Sequence, residues 1–386
     1  MKKWEKTKIM LMCLVLVLSS FCLSFAASEV EPNEKTSEAT YMSVNTTYTG
    51  NSDDDYDDDY YYFELTSPGS VVINFKHDKL KTTKDVWSVN LYDENENKIV
   101  DRDIQGNEPD FSLPAQGLDV GTYYIDVEAT YNSDPTAYSI TALFSQSDYW
   151  EKEINDKTET STLLQCNTSY KGTSCNDYDE DYYYFELTSP GSVTINFKHE
   201  KLKTANEPWK VSLYDEDENR IVDDYIQGNK INVSLPTQGL DAGTYYIDVE
   251  ATYNSDSTEY SLEAKYKMSN SWEKEINDKT ATATLISTNK TYYGTSCNDY
   301  DDDYFSFYNK KKHKVTITFS HSKLKTSNEP WKVYLIDSKG NIKKTVYIKG
   351  NKKKTSFSSK LSKGTYYIDV EATYNSSPIK YSLKVK

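Results

Sequence analysis

The stretch Trp150-Glu151-Lys152-Glu153-Ile154-Asn155-Asp156-Lys157-Thr158 decides how this chain is organised, because it returns unchanged as Trp272-Glu273-Lys274-Glu275-Ile276-Asn277-Asp278-Lys279-Thr280. A looser copy, Glu29-Val30-Glu31-Pro32-Asn33-Glu34-Lys35-Thr36, stands near the start. The same interval of 122 residues separates Trp87, Trp209 and Trp331, and also Asp59, Asp181 and Asp303. A period this long is a whole domain, not a solenoid unit. The 386 residues therefore read as three tandem domains, at 29–146, 147–268 and 269–386.

Inside each copy, apolar residues alternate with period two. In the first copy Tyr61, Phe63 and Leu65 form one row, and Val71, Ile73 and Phe75 follow the Ser67-Pro68-Gly69 turn. Val89 and Leu91 come next, then Tyr123, Ile125, Val127 and Ala129, then Tyr138, Ile140 and Ala142. Such rows, separated by turn signals, predict antiparallel β-sandwiches with one solvated face per sheet. The 35 Tyr against 12 Phe and 6 Trp favour strands over a helical bundle. The predicted fold class is all-β, three tandem antiparallel sandwiches.

Ahead of them lies a leader. Lys2, Lys3, Lys6 and Lys8 precede the apolar run Ile9 to Leu18, and Ser24-Phe25-Ala26 supplies small residues for cleavage after Ala26. The reading is a signal peptide, 1–26, on a secreted chain with no membrane span once it is removed. Cys13 and Cys22 leave with the leader, and the odd set Cys166, Cys175 and Cys297 gives no disulfide framework. Cys166 and Cys175 could pair, but the residues between them read as a turn and a strand that hold them apart.

Charge divides unevenly. The three copies carry 7, 11 and 22 Lys and Arg against 24, 24 and 11 Asp and Glu, nets of −17, −13 and +11. Lys310-Lys311-Lys312-His313-Lys314 and Lys352-Lys353-Lys354 mark the third copy. They read as a solvated surface, as a cationic patch for an anionic glycan or cell-wall polymer, or as one side of a head-to-tail contact between molecules. Overall acidity argues against nucleic acid.

One acidic run survives in all three copies: Asp55-Tyr56-Asp57-Asp58-Asp59-Tyr60, Asp177-Tyr178-Asp179-Glu180-Asp181-Tyr182 and Asp299-Tyr300-Asp301-Asp302-Asp303-Tyr304. A copy that has otherwise exchanged acid for base keeps its carboxylates here. A cation offsets their repulsion, and all-oxygen ligands suit Ca²⁺ better than Mg²⁺ where geometry is irregular. Oxygens around one Ca²⁺ lie within about 5 Å of each other, whereas residues i and i+4 of a straight strand are roughly 13 Å apart. The run must curl or supply only part of a cage, and the Glu-x-Glu-x-Asn segment heading each copy is the expected second contributor. An EF-hand is excluded, because its sixth position would be Tyr60 and its twelfth Thr66. The alternative is a solvated acidic loop holding no ion.

These residues resemble the bacterial pre-peptidase C-terminal domain family. The resemblance rests on Glu31-Pro32-Asn33, Asp59-Tyr60-Tyr61-Tyr62-Phe63, Pro68-Gly69, Leu91-Tyr92-Asp93, Gly121-Thr122-Tyr123-Tyr124-Ile125 and Tyr138-Ser139-Ile140, in order and three times over. It implies a jelly-roll-like sandwich similar to the collagen-binding domains of clostridial collagenases, with calcium held between an acidic leading segment and the loop before the Asp-Tyr-Tyr strand. Carried over, it implies Glu151, Glu153, Asn155, Asp156 and Asp181 as ligands in the second copy, with Asp179 or Asp177 as a further one. In the third it implies Glu273, Glu275, Asn277, Asp278 and Asp303, with Asp301. In the first it implies Glu29, Glu31, Asn33 and Asp59, with Asp57, while Glu34 replaces the last Asp of the leading segment. A collagen-like partner is suggested; the family's peptidase has no room in the repeats.

No motif for catalysis accompanies them. His77, His199 and His321 follow the inward parity of their strands and read as half-buried strand-end residues. No nucleophile elbow, His-Glu-x-x-His or phosphate loop occurs. Tyr131, Tyr253, Tyr374, Trp209 and Trp331 read either as flat aromatics on an outer face or as covers for the sandwich edges. The expected function is non-catalytic: a calcium-stabilised extracellular binder of matrix or wall polymers. The alternatives are a self-assembling spacer and an accessory subunit of a separate peptidase.

Overall fold

The computed structural model describes residues 27–52, 57–130, 136–175, 179–252, 257–297, 301–373 and 378–386. The leader, Asp55, Asp177, Asp299 and the three recurring tyrosines Tyr131, Tyr253 and Tyr374 lie outside the described residues.

Strands pair into six sheets, two for each repeat. In the first sandwich one sheet orders Ala27–Ser28, Tyr48–Ser52, Thr136–Gln146, Gly69–His77 and Asp110–Ser112, and Gln116–Leu118 also pairs with Gly69–His77. The facing sheet orders Thr40–Tyr41, Asp58–Leu65, Gly121–Ala129, Asp85–Tyr92 and Lys98–Gln105. Most pairs are antiparallel, but the two-residue strands of the leading segment run parallel: Thr40 lies beside Tyr61, and Thr162 beside Tyr183. Among the described residues the helices are single 3₁₀ turns, Thr36–Glu38 and Thr158–Thr160, and none is long and apolar enough to cross a membrane.

Three separate apolar cores fill the sandwiches. The inward rows are those of the sequence pattern: Tyr61, Phe63 and Leu65 face Val71, Ile73 and Phe75 across the first core. Burial of such side chains is worth about 1.5–3 kcal/mol each. Parity also carries a carboxylate inward, because Asp59, Asp181 and Asp303 sit two residues before the first aromatic of the row and are fully buried.

Two expectations are corrected. Trp209 and Trp331 are neither on an outer face nor at an edge; like Trp87, each is fully buried. Their indole N–H groups donate to Ser52, Ser174 and Ser296 Oγ at 2.8–2.9 Å, which removes the cost of burying a lone donor. The strand-end histidines are buried rather than half-buried, with ring centres 4.4–4.6 Å from those tryptophans. The three cysteines are free, so Cys166 and Cys175 form no bridge: Cys166 packs on the second core and Cys175 on the first.

The two junctions repeat one set of contacts. Glu153 N–H donates to Gly117 O and Glu275 N–H to Gly239 O, both at 2.9 Å. Lys152 Nζ pairs with Asp119 at 2.8 Å and Lys274 Nζ with Asp241 at 2.6 Å. Gln116 and Gln238 reach Cys175 and Cys297 Sγ at 3.0 and 2.8 Å. A Cβ at Gly117 or Gly239 would overlap the carbonyl oxygen of Glu151 or Glu273. Each leading segment therefore touches the far end of the sandwich before it.

Candidate metal centres

The leading segment of each sandwich is tied to the strand that carries the buried aspartate. In the second copy Lys152 N–H donates to Thr162 Oγ1 at 2.9 Å, and Tyr182 N–H donates to Asn155 O at 2.9 Å. These bonds aim alternate side chains of Glu151-Lys152-Glu153 at Asp181. The result recurs three times: Glu29, Glu31 and Asp59; Glu151, Glu153 and Asp181; Glu273, Glu275 and Asp303. Within each trio one carboxylate oxygen per residue lies within 4.8 Å of the others.

Tyrosine hydroxyls hold the carboxylates from the core side. Tyr260 donates to Asp181 Oδ2 at 2.6 Å, Tyr183 lies 2.8 Å from Tyr260 and donates to Glu151 Oε2 at 3.1 Å, and Thr173 N–H donates to Glu151 Oε1 at 2.7 Å. The first site repeats this with Tyr138, Tyr61 and Asn51 N–H. The third keeps Tyr381 and Thr295 N–H but has Phe305 where Tyr61 and Tyr183 stand. Gly50, Gly172 and Gly294 complete the recess, since a Cβ there would overlap the carboxylate and the tyrosine ring. The sequence reading missed these tyrosines and glycines; the recurrence of Tyr138, Tyr260 and Tyr381 in the inward row was the available signal.

Asparagine supplies an independent pointer to a ligand. Asn33 and Asn155 are fully buried, and neither their amide oxygens nor their amide nitrogens have a hydrogen-bond partner. Asp59 and Asp181 each leave one buried oxygen, Oδ1, equally unpartnered. At the third site one carboxamide atom of Asn277 lies 3.3 Å from both Glu275 Oε2 and Asp303 Oδ1; as nitrogen it donates to both, and as oxygen it extends the donor set. Orphaned buried groups are costly, and here they belong to the same leading segment and strand that carry the carboxylate trio.

Burial raises every carboxyl of these trios above its ordinary value. Asp59 is pushed up to about 8, chiefly by burial, with Glu29 adding to the rise. Two unit charges 4.8 Å apart repel by about 3.5 kcal/mol at an effective dielectric of ~20. Such a trio must take up protons or hold a cation. Oxygens within 4.8 Å of one another match a Ca²⁺ shell of about 2.3–2.6 Å radius, and the all-oxygen donor set fits that ion.

Not every carried-over residue joins a trio. Asp156 and Asp278 are exposed and stand apart from the clusters, as does Glu34 in the first copy. Asp179 and Asp301 accept Cys175 and Cys297 N–H at 2.7 and 2.8 Å; burial pushes both up to about 6, and their charge raises every carboxyl of the neighbouring trio. Asp57 is likewise outside its trio, and its carbonyl accepts Ala129 N–H. The lysine clusters are not one patch: Leu361 pairs with His313 at one end of the strand, and Lys354 with Ser320 at the other.

No protein-family model matches the chain. It is 26% identical over 241 residues to collagenase ColA of Clostridium perfringens (strain 13 / Type A), an alignment covering 60% of this chain and 21% of the collagenase, so the chain spans about a fifth of that relative's length. Among solved structures, the pre-peptidase C-terminal domain of a Bacillus anthracis collagenase is 24% identical, covering 29% of this chain and 100% of that domain with a TM-score of 0.23. The tandem CBM51 modules of a family 98 glycoside hydrolase from Streptococcus pneumoniae SP3-BS71 are 7% identical, covering 57% of this chain and 83% of theirs, TM-score 0.18.

Proposed function

We propose that this is a secreted, non-catalytic binding protein built as three sandwiches, at 29–146, 147–268 and 269–386. Each fastens its leading segment to its body with one calcium ion. The ligands are Glu29, Glu31, Asn33 and Asp59 in the first, Glu151, Glu153, Asn155 and Asp181 in the second, and Glu273, Glu275, Asn277 and Asp303 in the third. The observation that carries the reading is the threefold trio of carboxylates, which in the first two sandwiches stands with buried asparagine and aspartate atoms that have no partner. Bound calcium supplies positive charge to the trio. The tyrosines orient the carboxylates from the core side.

The partner is an extracellular polymer, a matrix protein such as collagen or an anionic wall glycan, engaged with avidity by tandem copies. The collagenase relative favours the matrix protein, and the basic third sandwich favours the glycan. Calorimetric titration of chelator-treated protein tests the centre of the reading: three calcium ions per chain are expected. Absence of binding, with melting curves unmoved by chelator, overturns it. A second reading, a spacer assembling head to tail, draws on the opposite charges of the first and third copies.

A further inference from the structure

In the first two sandwiches the end face that seats the following sandwich carries a glycine against the incoming backbone and an aspartate, Asp119 or Asp241, for the incoming lysine. Gly117 and Gly239 lie against the next leading segment, and Pro68 O and Pro190 O accept Ser147 and Ser269 N–H. Register identifies the same face in the third. Ser70 pairs with Gly117 in the first sandwich, and Lys314 pairs with Lys360 in the third. Lys360 therefore occupies the glycine position, and Lys310-Lys311-Lys312 replaces Thr66-Ser67-Pro68. Ser362 stands in the place of Asp119, so the acceptor for the junction lysine is gone.

We propose that this end face of the third sandwich no longer seats a sandwich of its own kind and instead binds a linear polyanion. Any side chain at the glycine position collides with the incoming carbonyl, so the seat is closed sterically. Lys314 and Lys360 stand directly opposite each other, an arrangement that costs stability unless an anion intervenes. Among the described residues the ion pairs within the third sandwich are Lys332–Glu371 and Lys343–Asp337, which leave the lysines of this face unpaired. All of these lysines are exposed.

A second copy of this chain fits the face poorly. Its leading segment carries Val30 where Lys152 and Lys274 make the junction ion pairs, and Ser28 where Trp150 and Trp272 stand. A polymer of repeating negative charge requires no such matching, only a row of cations. The inference names the partner class within the binding reading and stands apart from calcium.

The test uses the chain from residue 27 on immobilised heparin, long-chain polyphosphate and polygalacturonate, which separate sulfate, phosphate and carboxylate sources. Lys310→Ser, Lys311→Ser, Lys312→Ser and Lys360→Ser combined are compared with Lys349→Ser, Lys352→Ser, Lys353→Ser and Lys354→Ser, which remove equal charge at the opposite end. The first set loses at least tenfold in affinity for a retained polymer, and its salt dependence flattens; the second stays within twofold. Lys312→Ser alone, in an exposed turn, gives a partial loss if the combined variant misfolds. Equal losses in both sets, or no retention on any of the three polymers, overturn the proposal. A salt-sensitive dimer abolished only by the first set assigns the face to a second copy and overturns it too. Failure here with collagen binding retained leaves the broader function standing.

Discussion

Phe305 takes the place that Tyr61 and Tyr183 hold, so the third carboxylate trio lacks one hydroxyl donor that the second possesses. Hydrogen bonds to charged groups contribute about 1.5–3 kcal/mol. Tyr183→Phe therefore lowers the stability of the second sandwich by about 1.5–3 kcal/mol, and Phe305→Tyr stabilises the third, both read from calorimetric melts. A separate carboxyl sets a pH slope. Asp248 is buried beside Glu180 and Glu250, with Lys210 opposing them, and burial pushes it up to about 7. The unfolded residue titrates near ~3.9. Between those values the folded chain keeps a proton that the unfolded chain has released, so stability falls as pH rises through this window and levels off above it. Asp126 and Asp369, also held at about 7 by burial, add to the same slope. In chelator the carboxylate trios add to the same slope, so Asp248→Asn makes it shallower by one group's share and raises the melting temperature at pH 8; an unchanged slope would show that Asp248 is ionised in the fold.

At the level of elements, the strand Gln238–Leu240 does two jobs, closing one sandwich and seating the next. Gly239→Ala places a methyl group on the Glu273 carbonyl. The expected result is a larger radius of gyration by small-angle scattering with the second and third cores intact by near-ultraviolet dichroism. An unchanged radius would mean that the junction shifts to accommodate the methyl. Strand rows were legible in the sequence because period two needs only parity, and parity alone already turned Asp59, Asp181 and Asp303 inward. The tryptophans were not legible, since Glu-Pro before Trp209 and Trp331 reads as loop and their serine acceptors lie 35 residues away. Nor was the division of one edge into Asp110–Ser112 and Gln116–Leu118. Pro114 and Pro236 interrupt the ladder there, whereas the third copy has no proline at that point and runs one strand, Lys354–Leu361. The tyrosines that hold the carboxylates, Tyr138, Tyr260 and Tyr381, escaped for a related reason: a tyrosine in an inward row looks like core until the strand beside it is known.

Across the whole molecule, seating makes the three centres unequal. Glu31 is exposed and Glu29 half-buried, whereas Glu151 and Glu273 are each 1% exposed beneath the sandwich before them. A cleft of about 320 Å³ between Lys98-Ile99 of the first sandwich and Glu153, Asp156 and Asp179 of the second reaches that centre at Glu153. An ion at the first centre can leave directly; ions at the other two must pass a junction held by paired backbone and lysine contacts. Mixing calcium-loaded protein with excess chelator is therefore expected to release one ion quickly and two slowly. Each ion held at a hundredfold excess over its dissociation constant adds about 2.7 kcal/mol to its sandwich, so chelation weakens the first sandwich before the others. Gly117→Ala, which loosens only the first junction, moves the second ion into the fast phase and leaves the third slow. Release of all three in one phase, unaffected by that substitution, would mean that the neighbouring sandwich does not control access.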